Sequence, residues 1–194
     1  VRQLQEWNDA TRSRQMTDTV HGRFAAIRDI YPEAVAVVDA HSSLTYAELD
    51  HRSDALARRL HRAEVKPGSI VAVAMKRSVA AVVAVLGVLK AGGAYLPLDP
   101  AYPPERLAFM LNDAHAQVIV VDDLDTRLPL PDSITDSITR VAVSDDGSAA
   151  TTAPTDAAIV LDGEALAYVM FTSGSTGVTT GGEIPHPASL PLGC

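Results

Sequence analysis

Val20, Phe24, Ile27 and Ile30 recur at spacings of four, three and three, which places them on one face of a helix, and Pro32 ends it. A short β-branched run follows over 34–39. After the turn-forming Ala40-His41-Ser42 the chain resumes at Leu44-Thr45-Tyr46, a pattern that predicts a hairpin. Thr45 and Glu48 stand three apart, ahead of Leu49, Leu56 and Leu60. That spacing is a capping box: hydroxyl and carboxylate each satisfy a backbone N–H at the start of a helix whose leucines face inward.

Beyond Pro67-Gly68 strand and helix signals alternate at lengths suited to parallel crossover units. Residues 69–75 read as a strand and 79–90 as an apolar helix. Gly92-Gly93 supplies the left-handed stop that other residues adopt only at a cost. Residues 94–98 form the next strand. Behind the proline-punctuated loop 99–103, Pro104 suits the first turn of a helix carrying Leu107, Met110 and Leu111, and 117–121 closes a β-α-β-α-β unit. Segment 122–162 holds many Asp, Ser, Thr and Pro residues; only 139–143 looks like a strand, and the rest reads as surface connection. An apolar strand returns over 165–171. The fold class is α/β, with parallel β-α-β units and right-handed connections.

Composition narrows the partners. With 47% hydrophobic and 21% charged residues in 194, the chain can bury a sizeable core. Its formal charge of -8 speaks against nucleic acid or an anionic membrane, both of which attract Lys/Arg stripes, and a small ligand is expected instead. The single Cys194 builds neither a disulfide framework nor a thiolate metal site, which fits a reducing, cytoplasmic compartment. Residues 1–18 are polar and lack the apolar centre of a secretory signal. The most apolar stretch, 79–89, is shorter than the roughly 20 residues of a membrane span. His21, His41, His51, His61, His115 and His186 are scattered without metal-ligand spacing and read as solvated or packed.

The candidate chemistry lies directly after the last strand, where Thr172, Ser173, Gly174, Ser175, Thr176 and Gly177 follow one another. Gly174 and Gly177 can take positive φ, so that successive N–H groups converge into an anion nest, and the four hydroxyls add donors. Phosphate is the natural guest. The spacing is neither the Walker loop nor the G-x-G-x-x-G fingerprint. By itself the hexamer suits a flexible linker equally well.

Its context decides the matter. The string Leu166-Ala167-Tyr168-Val169-Met170-Phe171-Thr172-Ser173-Gly174-Ser175-Thr176-Gly177 resembles the phosphate-loop motif of adenylate-forming enzymes, and of nonribosomal peptide synthetase adenylation domains in particular. Leu44-Thr45-Tyr46-Ala47-Glu48-Leu49 looks like an earlier motif of that family. Another is Leu89-Lys90-Ala91-Gly92-Gly93-Ala94-Tyr95-Leu96-Pro97-Leu98-Asp99-Pro100, continuing through Tyr102-Pro103-Pro104-Glu105-Arg106. Both earlier motifs read as structural, a capped helix and a glycine-stopped helix, rather than as ligand contacts. Leu4-Gln5-Glu6-Trp7-Asn8-Asp9 is similar to the segment joining a condensation domain to an adenylation domain.

The resemblance implies residues 1–19 as a linker after a condensation domain, and 20–194 as part of the large amino-terminal subdomain of an adenylate-forming enzyme, ending after the phosphate loop. It implies ATP with Mg²⁺, an amino acid substrate, and a carrier protein domain bearing phosphopantetheine. No catalytic or metal-ligating residue is assigned, because the regions that hold adenine, the amino acid and the catalytic lysine are expected beyond Cys194. The chain alone is therefore expected to be inactive. One departure stands inside the motif: family members continue T-G-x-P-K-G, whereas this chain reads Thr176-Gly177-Val178-Thr179-Thr180-Gly181, with Thr180 in place of the lysine. A hydroxyl there carries no positive charge to assist phosphate. Two alternatives stay open, an acyl-CoA or aryl-acid ligase of the same superfamily and a non-catalytic truncated remnant.

Overall fold

A computed structural model describes residues 19–123, 126–143, 165–173 and 179–186. Helix α1 (Val20–Ile30) leads into an antiparallel two-stranded ribbon of β1 (Val35–Val38) and β2 (Ser43–Thr45), and then into α2 (Tyr46–Arg62). Next come β3 (Ile70–Ala74), α3 (Val79–Lys90), β4 (Ala94–Leu98), α4 (Pro104–Asp113) and β5 (Val118–Val121). The short α5 (Asp132–Thr135) and β6 (Thr139–Ala142) follow, and the described chain closes with β7 (Leu166–Ser173) and β8 (Thr179–Pro185).

Six strands make one sheet in the order β6-β5-β3-β4-β7-β8. Strands β3, β4, β5 and β6 run parallel, as the alternation predicts, and β7 joins them parallel to β4; only β8 is antiparallel. One face of the sheet, through Val71, Val73 and Val120, packs with Leu56, Leu60, Ala84 and Val88 of α2 and α3. The other, through Ala72, Leu96 and Ile119, packs with Leu107, Met110 and Leu111 of α4. Helices on both faces leave β5 buried throughout and β3 buried beyond Ile70, which is why these strands read as apolar runs, whereas β4 buries Ala94, Leu96 and Leu98 and exposes Pro97.

Three helices stop in the same way. In each, one N–H reaches back five residues (Val65 to Leu60, Gly93 to Val88, Ala116 to Leu111) and the N–H before it reaches back three (Glu64 to His61, Gly92 to Leu89, His115 to Asn112). This double bond pattern needs a left-handed residue, and Gly92 takes φ 80° while Glu64 and His115 take 64° and 51°. The capping box is present in full, with Glu48 N–H donating to Thr45 Oγ1 at 3.2 Å and Thr45 N–H to Glu48 Oε2 at 2.8 Å.

The structure adds to or corrects four readings. Helix α1 forms where the spacing predicts, yet Ile27 and Ile30 on that face are 44% and 67% exposed. It docks instead through half-buried Phe24 and through Arg28, whose guanidinium meets Asp50 Oδ2 at 2.5 Å. Ion pairing, invisible to a hydrophobic pattern, sets its orientation. Segment 122–138 is more than surface connection, because α5 inserts Ile134, with Ile138 behind it, into the α4 side of the core. The strand expected over 165–171 runs two residues further, and it alternates, with Ala167 and Val169 buried and Met170 exposed. Finally, β8 was not foreseen. Among the described residues no helix is long and apolar enough to cross a membrane.

Candidate phosphate-loop site

The described residues of the candidate loop are its first two. Thr172 and Ser173 are the last residues of β7, and their backbones pair with Thr180 and Thr179 of β8. The structure thus moves them from loop to hairpin stem: an antiparallel partner takes up their backbone groups. Gly174, Ser175, Thr176 and Gly177 lie outside the described residues. Thr180, which stands where a lysine was expected, is placed in register with Thr172.

Because β7 is parallel to β4, the stem ends at the edge of the sheet where the parallel strands have their carboxyl ends. In open α/β sheets ligands collect at that edge, beside strands whose connections leave toward opposite faces. Here β3 leads to α3 on one face while β4 leads to α4 on the other. Exposed Lys76 and Arg77 follow β3, Asp99 follows β4 and Asp122 follows β5. Asp99 Oδ1 accepts the Ala101 N–H at 2.9 Å, shaping the turn, and the Arg106 guanidinium lies 4.2 Å over the Tyr102 ring. Burial pushes the Asp122 carboxyl up, against the opposing pull of Lys76.

The stem is attached to the doubly wound core by a narrow seam. A single register pair, Tyr95↔Tyr168, joins β4 to β7, and the two rings stack with centroids 5.3 Å apart. Pro97, two residues on, has no N–H to donate. The far end of the hairpin is tied to α1. His186 follows β8 and is 1% exposed; its Nδ1 accepts the Val20 N–H at 3.4 Å, and its ring meets that of His21 edge to face at 5.5 Å. Burial, then His186, then Lys90 hold the His21 imidazolium down to about 4, and burial lowers His186 as well. Two histidines read as scattered therefore form one pair, and their 165-residue separation hid it. Lys90 itself bonds Asp50 Oδ1 and Asp54 Oδ1, both at 2.6 Å, so α1, α2 and α3 are stitched behind the pair.

Among the described residues no group of three or more His, Cys, Asp or Glu could hold a metal ion. A groove of about 430 Å³ lies at the opposite, amino edge of the sheet, lined by Lys66, His115, Gln117, Ser137 and Thr139. It is separate from the stem.

The sequence profile of AMP-binding enzymes matches residues 24–190. A linear gramicidin synthase chain of Brevibacillus parabrevis is 40% identical over 94% of this chain, which spans 4% of that protein. Bacitracin synthase 3 of Bacillus licheniformis is 39% identical over 93% of the chain, which spans 3% of it. The chain is thus a small part of the length of the curated relatives it matches. Among solved structures, the nonribosomal peptide synthetase FmoA3 in its alpha-methyl-L-serine-AMP bound form superposes with a TM-score of 0.80 at 32% identity, covering 95% of this chain and 20% of that one. The NpsA N-terminal subdomain of Klebsiella oxytoca superposes with a TM-score of 0.75 at 25% identity, covering 88% and 43%.

Proposed function

The chain belongs to the AMP-binding enzyme family, and on that premise we propose that it is the amino-terminal part of an adenylation domain that activates an amino acid in a nonribosomal peptide synthetase. The complete domain joins an amino acid carboxylate to the α-phosphate of ATP, releases pyrophosphate and hands the acyl group to the phosphopantetheine thiol of a carrier domain. Residues 1–19 are the linker from a condensation domain, and 20–194 the adenylation part. A soluble, cytoplasmic assembly goes with this reading.

The observation that carries it is positional. The β7–β8 stem ends at the carboxyl edge of a parallel sheet, and the hydroxyl- and glycine-rich sequence Thr172 to Gly177 begins on its last two β7 residues, within the segment matched by the family profile. By sequence, the donors suit a triphosphate: glycines at 174 and 177 would let backbone N–H groups approach an anion closely, and the hydroxyls of Thr172, Ser173, Ser175 and Thr176 would add donors to its oxygens. ATP would supply the electrophilic phosphorus, and Mg²⁺ bound with it would neutralise phosphate charge. The amino acid reading is favoured over an aryl acid because FmoA3, solved in an alpha-methyl-L-serine-AMP bound form, is 32% identical to this chain, against 25% for NpsA.

The test uses the complete adenylation domain containing this chain. Gly174→Val should weaken ATP binding by about 1 to 3 kcal/mol, the cost of leaving polar groups unpaired, with the melting temperature little changed. Thr180→Lys should strengthen binding, since a charge-assisted phosphate contact is roughly twice as strong as a neutral one. Calorimetric titration alongside thermal melts measures both, and equal ATP affinity for the parent and Gly174→Val, both folded, removes the loop from the site. Amino-acid-dependent ATP–pyrophosphate exchange should be absent from the 194-residue chain alone; exchange above background with any amino acid would show that residues 1–194 hold a complete site.

A further inference from the structure

Strand β8 is a poor strand by composition. It carries Gly181 and Gly182 in its centre, and glycine in a strand weakens it through chain entropy and the lack of a side chain to pack. Yet β8 pairs with β7 along its whole length. What compensates is aromatic. Phe171 stands directly across from Gly181 in the register, and its ring lies over the glycine backbone: a Cβ built at Gly181 would come 3.2 Å from both Cε1 and Cζ of Phe171. The same Cβ would be 3.7 Å from Asp113 Oδ2, at the end of α4. One turn earlier on α4, Phe109 meets the Phe171 ring edge to face with centroids 6.1 Å apart, although Phe109 is 44% exposed. Phe171 also packs on the cluster of Leu107, Met110 and Leu111. Its ring is held by β8, by Phe109 and by the core.

The placement gives this contact a purpose. The pair Phe171↔Gly181 is one register step from Thr172↔Thr180 and two from Ser173↔Thr179, the outermost described pair of the stem. Aromatic side chains laid across strand glycines fix pairing register, and a register slip of one residue would turn every stem side chain to the other face. A large exposed Phe109 and a glycine whose Cβ would crowd the Phe171 ring at 3.2 Å are otherwise unexplained.

We propose that Phe109, Phe171 and Gly181 form an aromatic brace that sets the stem of the phosphate loop, making them positioning residues for nucleotide binding. The proposal rests on the phosphate-loop reading above. The brace couples α4 to the loop stem: the edge of Phe109 fixes the tilt of Phe171, and that ring fixes how closely β8 approaches β7.

Amide hydrogen exchange and MgATP titration of the complete adenylation domain containing this chain test it together. Phe109→Ala removes a half-exposed ring and leaves the core in place, so its melting temperature should stay near the parent's. The amides of Thr172, Ser173, Thr179 and Thr180 should nonetheless exchange about tenfold faster, while those of β3 and β5 do not change. Gly181→Ala should do the same, and Phe109→Tyr, which keeps the ring, should restore parent exchange. MgATP affinity should fall with the stem protection in Phe109→Ala and recover in Phe109→Tyr. Unchanged stem exchange in both Phe109→Ala and Gly181→Ala overturns the brace. Faster stem exchange with MgATP affinity unaltered overturns the positioning role. Faster stem exchange with no MgATP response from the parent overturns the phosphate-loop reading and the positioning role with it, while the brace contact stands as a feature of the hairpin.

Discussion

Glu64 and His115 occupy left-handed backbone positions for which Gly92 shows the unstrained solution at the equivalent place after α3. An L side chain there costs roughly 1–2 kcal/mol, part of which the freer unfolded chain of a glycine variant takes back. Glu64→Gly and His115→Gly should each raise stability by about 1 kcal/mol in urea melts; no gain in either would show that their side chains make contacts worth the strain. Gly87 behaves in the opposite sense. A Cβ there would sit 2.8 Å from Leu56 Cδ2 and 3.0 Å from Leu56 Cβ, and Leu56 is fully buried between α2 and α3. Overpacking costs about 1–3 kcal/mol, more than the roughly 1 kcal/mol of helix propensity that alanine contributes, so Gly87→Ala should be net destabilising. A more stable Gly87→Ala protein would mean that α2 and α3 separate freely. The His21–His186 pair brings a pH dependence. Unfolded, His21 takes up a proton near pH 6.5, whereas folded it does so only at about 4. The unfolded state therefore binds more protons across that window, and stability is lost as pH falls below 6.5. By pH 5 the loss should reach about 2 kcal/mol. Urea melts of the parent and His21→Gln between pH 7 and 5 measure it, and equal slopes in the two proteins would rule the pair out as the source.

At the scale of elements, legibility followed the strength of local punctuation. Helix α3 and strand β4 fall where the sequence placed them because Gly92-Gly93 marks the boundary between them, and α4 does because Pro104 opens it. Helix α2 was legible for a comparable reason: Thr45 and Glu48 satisfy each other's backbone within four residues. Strand β8 was not legible. Its glycines resemble a linker, and the ring that rescues the first of them comes from the other strand of the hairpin. The same blindness shortened β7, since Thr172 and Ser173 have loop-like composition and become strand only because Thr180 and Thr179 lie opposite. The candidate site was thus legible as chemistry, through its hydroxyls and glycines, but not as geometry. The stem that carries it depends on pairing and on contacts reaching back to α4. The orientation of α1 was hidden for a related reason, because Arg28, Asp50 and Lys90 settle it through charge.

At the scale of the molecule, strands are added out of spatial order. Strands β3 to β6 close a four-stranded parallel sheet with helices on both faces, and β7 later enters on the far side of β4. On a ribosome the β4 edge therefore stands open while residues 143–165 are made, roughly 1–5 s at ordinary elongation rates. An unpaired apolar strand of that kind invites pairing with a neighbouring nascent chain. Pro97, out of place in what becomes a central strand, suits an edge, because it withholds one donor from any intruder. Pro97→Val should leave the finished fold intact yet raise the aggregated fraction during cell-free synthesis, most visibly when translation is slowed between β6 and β7. An unchanged soluble yield would remove the guard role. Polysomes crowd nascent chains of one sequence together, and there a single missing hydrogen would act before the protein is complete.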